Sequence, residues 1–595
     1  MSQLNVPHHD GSSLYVSNCA PQLGESVVFR VRVPKKDKAR EIFIRIIEDG
    51  EARTFAMQKR STNRIESWWS VKVSLINPAT NYRFLLKNGS EFRWLNGSGI
   101  HERDVTDHHD FRIVCRPDTP SWIKRSVFYQ IFPDRFATSG KKRKLPDWAV
   151  PREWNSLPQG RGKYTGQEFF GGDFEGVENH LDHLTRLGVN AIYFTPFFPS
   201  RSNHRYDASS FDHSDPLLGG DEALISLSHA AAGKGIKVMG DLTTNHCGAG
   251  HPWLKEKREY FYWDSKIPHG YVGWWGLASL PKLNFGSSAL HREMYSGANS
   301  IVKKWLREPF SMAGWRIDVG NMTGRNGSED FNREVARGIR TAMDEVAPDA
   351  WLVAENADQA AEDLDGHGWH GSMNYNGFTK PIWHWINAPK KKLQDSIGMP
   401  GGLGKISGSS MVASLQEFAA GIPWRSLVSS MILLDSHDRA RFHTVVGGNI
   451  QRHMVGATLL FTYPGVPSVF AGDEIGLEGS WGEDARRTIN WDDRSKWNTE
   501  LLDLYTKLIS IRKKSDALSN GGLRWIYVSD RAVAYLRESS KESMLVIVAS
   551  DKTKITIDLS AFGYHIDSTI HGPSLKGRKI SISTKGPMSG IWRLK

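Results

Sequence analysis

The sequence predicts an α/β protein built on a large parallel-strand unit, a (β/α)8 barrel or a large open sheet, with an antiparallel β-domain at each end. Three observations lead there. Between about residues 125 and 515, nearly continuous apolar runs each end in polar residues, and helical patterns lie between several of them. Runs buried on both faces belong to parallel strands covered by helices. Before about residue 120 the runs are shorter and alternate apolar with polar, as half-buried antiparallel strands do. After about residue 520 a strand pattern returns.

Residues 1–120 carry "SVVFRVRV", "EIFIRIIE" and "WWSVKVSL", separated by Asn, Gly and Pro, which predicts a β-sandwich. "RPDTPSW" (Arg116–Trp122) is a linker, since its two prolines resist regular structure. The unit at 121–515 contains the strand candidates "SVFYQIF", "NAIYFTPFF", "IKVMGDL", "GWRIDV", "WLVAEN", "SMILLDS" and "PSVFAGDE". Between the first two, Leu181, Leu184 and Leu187 recur at helical spacing before a stop at Gly188. Residues 247–300 are too long for a simple loop and predict a small subdomain over one rim. The last segment, 516–595, holds "AVAYLRE", "SMLVIVAS" and "KITIDL", a C-terminal β-domain. "GGLGKIS" (Gly401–Ser407) is like a phosphate loop only superficially, because Ile406 stands where Ser or Thr is needed.

A chain of 595 residues, 39% hydrophobic and 24% charged, is globular and multidomain. Its net charge of +11 includes the runs Lys141–Lys144 and Lys390–Lys392, but no nucleic-acid module surrounds them, so they are expected as solvated loops. No apolar run approaches the ~20 residues a membrane helix needs, and the start lacks the basic and apolar regions of a secretory signal. Three distant cysteines, Cys19, Cys115 and Cys247, give neither a disulfide framework nor zinc spacing. A cytoplasmic protein is expected. The 22 tryptophans, with pairs at Trp68–Trp69 and Trp274–Trp275, suit a core first and stacking on sugar rings second.

Acidic residues collect where the apolar runs end: Asp241, Asp318, Glu355 and Asp438. Strand C-termini converge on the face where barrel active sites are built. In "GWRIDVGNM" (Gly314–Met322), Arg316 and Asp318 are two apart and project to the same side of a strand. Four acids on one rim repel one another unless Arg316, histidines or a shared proton offset them. Cleavage of a glycosidic bond gains from that crowding, because one carboxylate attacks or activates water while one carboxylic acid protonates the leaving oxygen.

With these stretches the sequence resembles the α-amylase family, glycoside hydrolase family 13, over most of residues 125–515. "DLTTNH" (Asp241–His246), "GWRIDVGNM", "LVAEN" (Leu352–Asn356) and "LLDSHD" (Leu433–Asp438) are similar to its four signatures in order and spacing. "LPKLN" (Leu280–Asn284), "SNHRYD" (Ser202–Asp207) and the N-terminal β-domain resemble the neopullulanase, cyclomaltodextrinase and maltogenic amylase subgroup. The resemblance implies a (β/α)8 TIM barrel with the 247–300 insertion after its third strand. It implies a retaining hydrolase of α-1,4 links in short or cyclic maltooligosaccharides, with Asp318 as nucleophile and Glu355 as general acid and base. Asp438, His246 and His437 would bind sugar hydroxyls, Tyr206 would stack on the sugar, and Asp241 would support the site and Arg316. An oligosaccharide substrate and a homodimer through the N-terminal domain are implied; no nucleic acid or membrane is.

Two departures bear on specificity: Met322 stands where relatives often carry glutamate, and Asn356 and Ala357 follow the acid where an aromatic is common. They leave room for another substrate, such as cyclic maltosyl-maltose. No cofactor is expected. Relatives often carry a calcium loop after the first strand, but "DRFATSGKKRKLPDW" is lysine-rich there, with Asp173 the one ligand left, so no metal site is assigned. His101, His108 and His109 are read as a surface loop. An exo-acting α-glucosidase or a transglycosylase on the same barrel is the alternative. A non-catalytic glycan-binding barrel is the third reading, opposed by the intact Asp318, Glu355 and Asp438.

Overall fold

The structure is a computed structural model describing residues 3–388, 393 and 402–595. The basic run Lys390–Lys392 and Gly401 lie outside the described residues.

Eight parallel strands form the central sheet: β1 (Phe128–Ile131), β2 (Ala191–Phe194), β3 (Lys237–Thr243), β4 (Gly314–Asp318), β5 (Trp351–Ala354), β6 (Gly371–Ser372), β7 (Met431–Leu433) and β8 (Val466–Phe470). They run in the order β6–β5–β4–β3–β2–β1–β8–β7. A parallel bridge between Met373 and Met431 joins the two ends, so the sheet closes into a (β/α)8 barrel. Alternate residues face opposite ways. Phe128, Ala191, Tyr193, Met239, Trp351, Val353, Met431 and Leu433 share one cluster inside the barrel. Tyr129, Ile131, Ile192, Phe194, Ile317 and Leu352 belong to the larger core beneath the helices.

Seven strands fall on the seven apolar runs of the sequence. The eighth, β6, is two residues long in "HGSMNY" and has no such run. The helix Leu181–Leu187 ends on Gly188, whose φ of +93° suits glycine at a helix stop. Gly314 opens β4 because a Cβ there would stand 2.0 Å from the Trp351 carbonyl oxygen of β5.

Before the barrel, a three-stranded antiparallel sheet around Ser26–Pro34 and a larger one around Ala79–Asn88 face each other across one core, with Val27, Phe29, Ile44 and Phe84 buried in it. After the helix Thr499–Lys514, a five-stranded antiparallel sheet from Gly522–Val528 to Met588–Leu594 and a two-stranded one form the C-terminal β-domain. The segment after β3 carries short helices and four antiparallel bridges, including Phe261 with Leu283 and Trp263 with Tyr271, and folds back on the barrel rim.

Candidate active site

β3, β4 and β5 bring the acidic residues together by register. Asp241 on β3 lies beside Arg316 on β4, Thr243 beside Asp318, and Ile317 beside Ala354 on β5. Asp318 is the last residue of β4 and Glu355 follows the last residue of β5. His246 follows β3, Tyr206 lies in the long segment after β2, and His437 and Asp438 follow β7. All eight residues singled out in the sequence thus occupy one rim, at the C-terminal ends of the strands.

Arg316 is the hub. Its fully buried guanidinium places Nη1 at 2.8 Å from Asp318 Oδ1 and 2.9 Å from Asp241 Oδ2, and Nη2 at 2.9 Å from Glu355 Oε2. Tyr193 donates to Asp241 Oδ2 at 2.7 Å and Tyr206 donates to the same oxygen at 3.0 Å. Exposure rises outward: the side chain of Asp241 is 0% exposed, Asp318 9%, Glu355 17% and Asp438 34%. The site is therefore dry at its floor and open at Asp438.

A single guanidinium here serves three carboxylates. Burial, only partly opposed by Arg316 and reinforced by Glu355, Asp241 and Asp438, holds the Asp318 carboxyl well above the usual carboxylate range. Burial likewise pushes Asp241 up to about 6 against the pull of Arg316. Asp318 and Asp241 therefore hold a proton more tightly than free carboxylic acids do.

The backbone adds a donor. Val319, directly after Asp318, adopts φ +38°, a left-handed conformation that costs a β-branched residue about 1–3 kcal/mol. In that conformation its N–H donates to Glu355 Oε2 at 2.8 Å. The turn is held from behind, where Asn332 Nδ2 donates to the carbonyls of Gly320 and Thr323 at 2.7 and 2.8 Å.

The histidines are neutral. Burial, then Arg486 and Arg316, hold His437 well below its ordinary value. The Gln130 amide donates to His437 Nδ1 at 2.8 Å, so the ring proton is on Nε2, which lies 2.6 Å from the Tyr206 hydroxyl and 3.2 Å from Asp438 Oδ2. The Tyr206 and His437 rings stack 10° from parallel. His246 is buried beneath Trp274, 8° from parallel at 5.0 Å between centroids, and Trp274 stacks in turn on the 78% exposed Trp275. Trp274 Nε1 lies 3.2 Å from the Met322 sulfur.

Several of these partners were not legible in the sequence. Gln130 and Tyr193 sit inside apolar runs. Arg486, 3.5 Å from Asp438 and donating to the His437 carbonyl at 2.8 Å, comes from a segment with no strand pattern. The acidic–basic string around "GEDARR" was its one signal.

Asp173, the one calcium ligand the family pattern leaves, has other partners. Asp173 caps a short helix by accepting from the Gly176 N–H at 2.7 Å, accepts from Ser139 Oγ at 2.6 Å, and pairs with the Arg143 guanidinium, which also pairs with Glu175. A cationic side chain thus occupies the place a cation would take, so this donor set does not fit calcium. Arg143 belongs to the basic run expected as a solvated loop, yet its side chain is only 19% exposed because of these pairings. His101 bonds Ser98 and His108–His109 lie in a short surface helix. Among the described residues no cluster of three His, Cys, Asp or Glu side chains is arranged to hold a metal ion.

Residues 130–488 match the profile of the alpha amylase catalytic domain. A cyclomaltodextrinase of a Bacillus species is 30% identical over 565 residues, 90% of this chain and 94% of that protein. A solved structure of a cyclomaltodextrinase superposes with a TM-score of 0.72 at 26% identity, covering 99% of this chain and 100% of that one. The ligand-free cyclic α-maltosyl-(1→6)-maltose hydrolase of Arthrobacter globiformis gives 0.66 at 28% identity, covering 80% and 100%.

Proposed function

Since the chain belongs to the α-amylase family of glycoside hydrolases, we propose that it cleaves α-1,4-glucosidic bonds in short or cyclic maltooligosaccharides with retention of configuration. The observation that carries this is the single Arg316 guanidinium in contact with both Asp318 and Glu355, with Asp241 behind it. Two carboxyl groups bridged by one side chain fit the close spacing, about 5–5.5 Å, of retaining enzymes.

In this reading Asp318 attacks the anomeric carbon while Glu355 gives its proton to the departing glycosidic oxygen, leaving a glycosyl ester on Asp318. Water then attacks that carbon, Glu355 takes its proton, and the ester bond breaks to free the sugar and the Asp318 carboxylate. Arg316 lies against Asp318 and favours the ionised form that the attack requires. Asp438, His437 and His246 hold hydroxyls of the same sugar, and the Tyr206 ring supports it.

An activated substrate separates the roles. Fluoride leaves without a proton, so Glu355→Gln should still release fluoride from α-maltosyl fluoride while losing at least about 10³-fold in kcat/KM on maltooligosaccharides. Asp318→Asn should lose both. Fluoride release by Asp318→Asn at the wild-type rate would refute the nucleophile.

Specificity rests on the leaving-group side, where Met322 packs on Trp274. A thioether there presents no charge to a sugar hydroxyl, so the preference is proposed to depart from that of relatives with glutamate, towards a sugar such as cyclic maltosyl-maltose. Met322→Glu should shift kcat/KM towards cyclodextrins by about tenfold, read on a panel of cyclic, linear and α-1,6-branched substrates. Product sizes in that panel separate endo cleavage from an exo-acting α-glucosidase, and transfer products from hydrolysis. The chain is further proposed to be cytoplasmic, in keeping with three unpaired cysteines, and to dimerise through its N-terminal domain, which sedimentation equilibrium tests directly.

A further inference from the structure

The insertion after β3 returns to the barrel through Leu280–Asn284, and there it pairs with the segment carrying His246. His246 and Lys282 form an antiparallel bridge. Beside it the Leu283 N–H donates to the Asn245 carbonyl at 3.0 Å and the Cys247 N–H to the Pro281 carbonyl at 3.2 Å. Three side chains then stand in a row. Lys282 Nζ is 2.9 Å from Asn245 Oδ1, and Asn245 Nδ2 is 3.1 Å from His246 Nδ1.

Lys282 is 5% exposed, and among the described residues no carboxylate pairs with it. Burying an unpaired ammonium is costly, and here burial pushes its pKa down to about 8. A purely structural position would be served better by an apolar side chain of similar length. The charge therefore calls for a role, and the row supplies one.

An ammonium donates and cannot accept, so the Asn245 amide must turn its oxygen to Lys282. Its NH2 group then faces His246 and can only donate, so Nδ1 must offer a lone pair. Burial, then Lys282 and His204, keep the ring neutral and push its pKa down to about 3, against a hydrogen bond to the Tyr206 backbone. A neutral ring whose Nδ1 accepts carries its proton on Nε2. We propose that Lys282 is a positioning residue of this active site: acting through Asn245, it fixes His246 as the Nε2–H tautomer, while Trp274 fixes the plane of the ring. The kinetic consequence rests on the reading that His246 holds a sugar hydroxyl, to which it then always offers a donor. The tautomer itself does not depend on that reading.

The test is 15N NMR of the protein labelled at histidine, with His246 assigned by the signals lost in His246→Gln. The Nδ1 and Nε2 shifts of the free protein report the tautomer directly. Wild type should show Nε2–H. Lys282→Arg, still donor-only, should keep it. Asn245→Asp has no amide donor and should move the proton to Nδ1, and Lys282→Met should give a mixture because the amide is free to flip. Lys282→Met should also lower kcat/KM about tenfold, with KM raised, and Lys282→Arg should restore most of it. An Nδ1–H signal in wild type overturns the proposal even if every variant fails to fold, as does an unchanged tautomer in folded Asn245→Asp and Lys282→Met. An intact Nε2–H signal in a protein inactive on every maltooligosaccharide would instead refute the proposed function and leave the relay standing.

Discussion

Asp318 and Glu355 lie against different nitrogens of one buried guanidinium. Burial raises Asp318 first, Arg316 opposes it, and Glu355, Asp241 and Asp438 raise it further. A nucleophile must be ionised, so activity is present above that raised pKa and lost as pH falls through it. Replacing Glu355 by Gln removes one negative neighbour and frees Arg316 for the nucleophile. The acid limb of α-maltosyl fluoride turnover should therefore move to lower pH in Glu355→Gln; an unmoved limb would mean that the two acids do not interact. The sequence offered Arg316 and Asp318 as neighbours because strand alternation is local. It could not show that Glu355 and Asp241 draw on the same guanidinium, because that sharing depends on the register of three strands. Val319 marks the same limit. Nothing in "RIDVGN" distinguishes a valine at φ +38° from one in extended backbone, and only the fold reveals the N–H turned onto Glu355.

At the scale of elements, barrel strands were legible where a nearly continuous apolar run ended in polar residues. β6 was not, because Gly371–Ser372 is short and is held by backbone pairing to β5 and by the Met373–Met431 bridge rather than by its own side chains. The loop after β1 shows the opposite difficulty. Its basic composition reads as solvent-facing, yet Arg143 folds back to clamp Asp173 and Glu175 at the start of the helix Phe174–Asn179. If Arg143 supplies the cation there, a chelator should leave the thermal midpoint unchanged. Arg143→Ala should lower it, by about 1–3 kcal/mol of stability, because it strands the buried Asp173 carboxylate. A chelator-sensitive midpoint would show that a metal shares the loop. The insertion after β3 was legible as an element from its length alone. Its chemical contribution, Lys282 and Trp274 delivered to His246, was not.

Across the whole molecule the two terminal β-domains touch, which no stretch of sequence suggests. Arg32, on the N-terminal strand Ser26–Pro34, makes a bidentate pair with Glu538 on the C-terminal strand Ala532–Glu538, at 3.0 and 2.6 Å, and Tyr564 donates to the same carboxylate at 2.7 Å. The N-terminal stretch laces the contact, with the Leu4 N–H donating to the Ile526 carbonyl and the Leu523 N–H to Asp10. Burial alone would raise Glu538, but Arg32 outweighs it and holds the carboxyl down to about 2. A depressed acid contributes stability that is complete above its unfolded value, about 4.3, and is lost as pH falls towards 2. Docking of the N-terminal domain should therefore weaken between about pH 4 and 2, read by limited proteolysis of the linker near Arg116–Trp122. Glu538→Gln should expose that linker already at neutral pH, at a cost of up to about 3–5 kcal/mol, because the buried Arg32 keeps only the longer contact with Glu66 at 3.7 Å. Equal resistance of the variant and wild type would dissociate the ion pair from docking.

The sequence by itself determined a parallel-strand unit, its flanking β-domains, the insertion and four acids at strand ends and, through signatures that resemble a known family, implied the closed barrel and the other site residues. Each of these is encoded locally, in the period of apolar residues or in short strings of polar ones at strand ends. The tertiary structure alone decided how charge and protons are distributed among them. One guanidinium divided among three acids, a lysine that orders a histidine tautomer through an amide, an arginine at the place of a cation and an ion pair between terminal domains all join residues far apart in the chain. Their energies depend on distance and on exclusion of water, and neither quantity exists until the chain has folded.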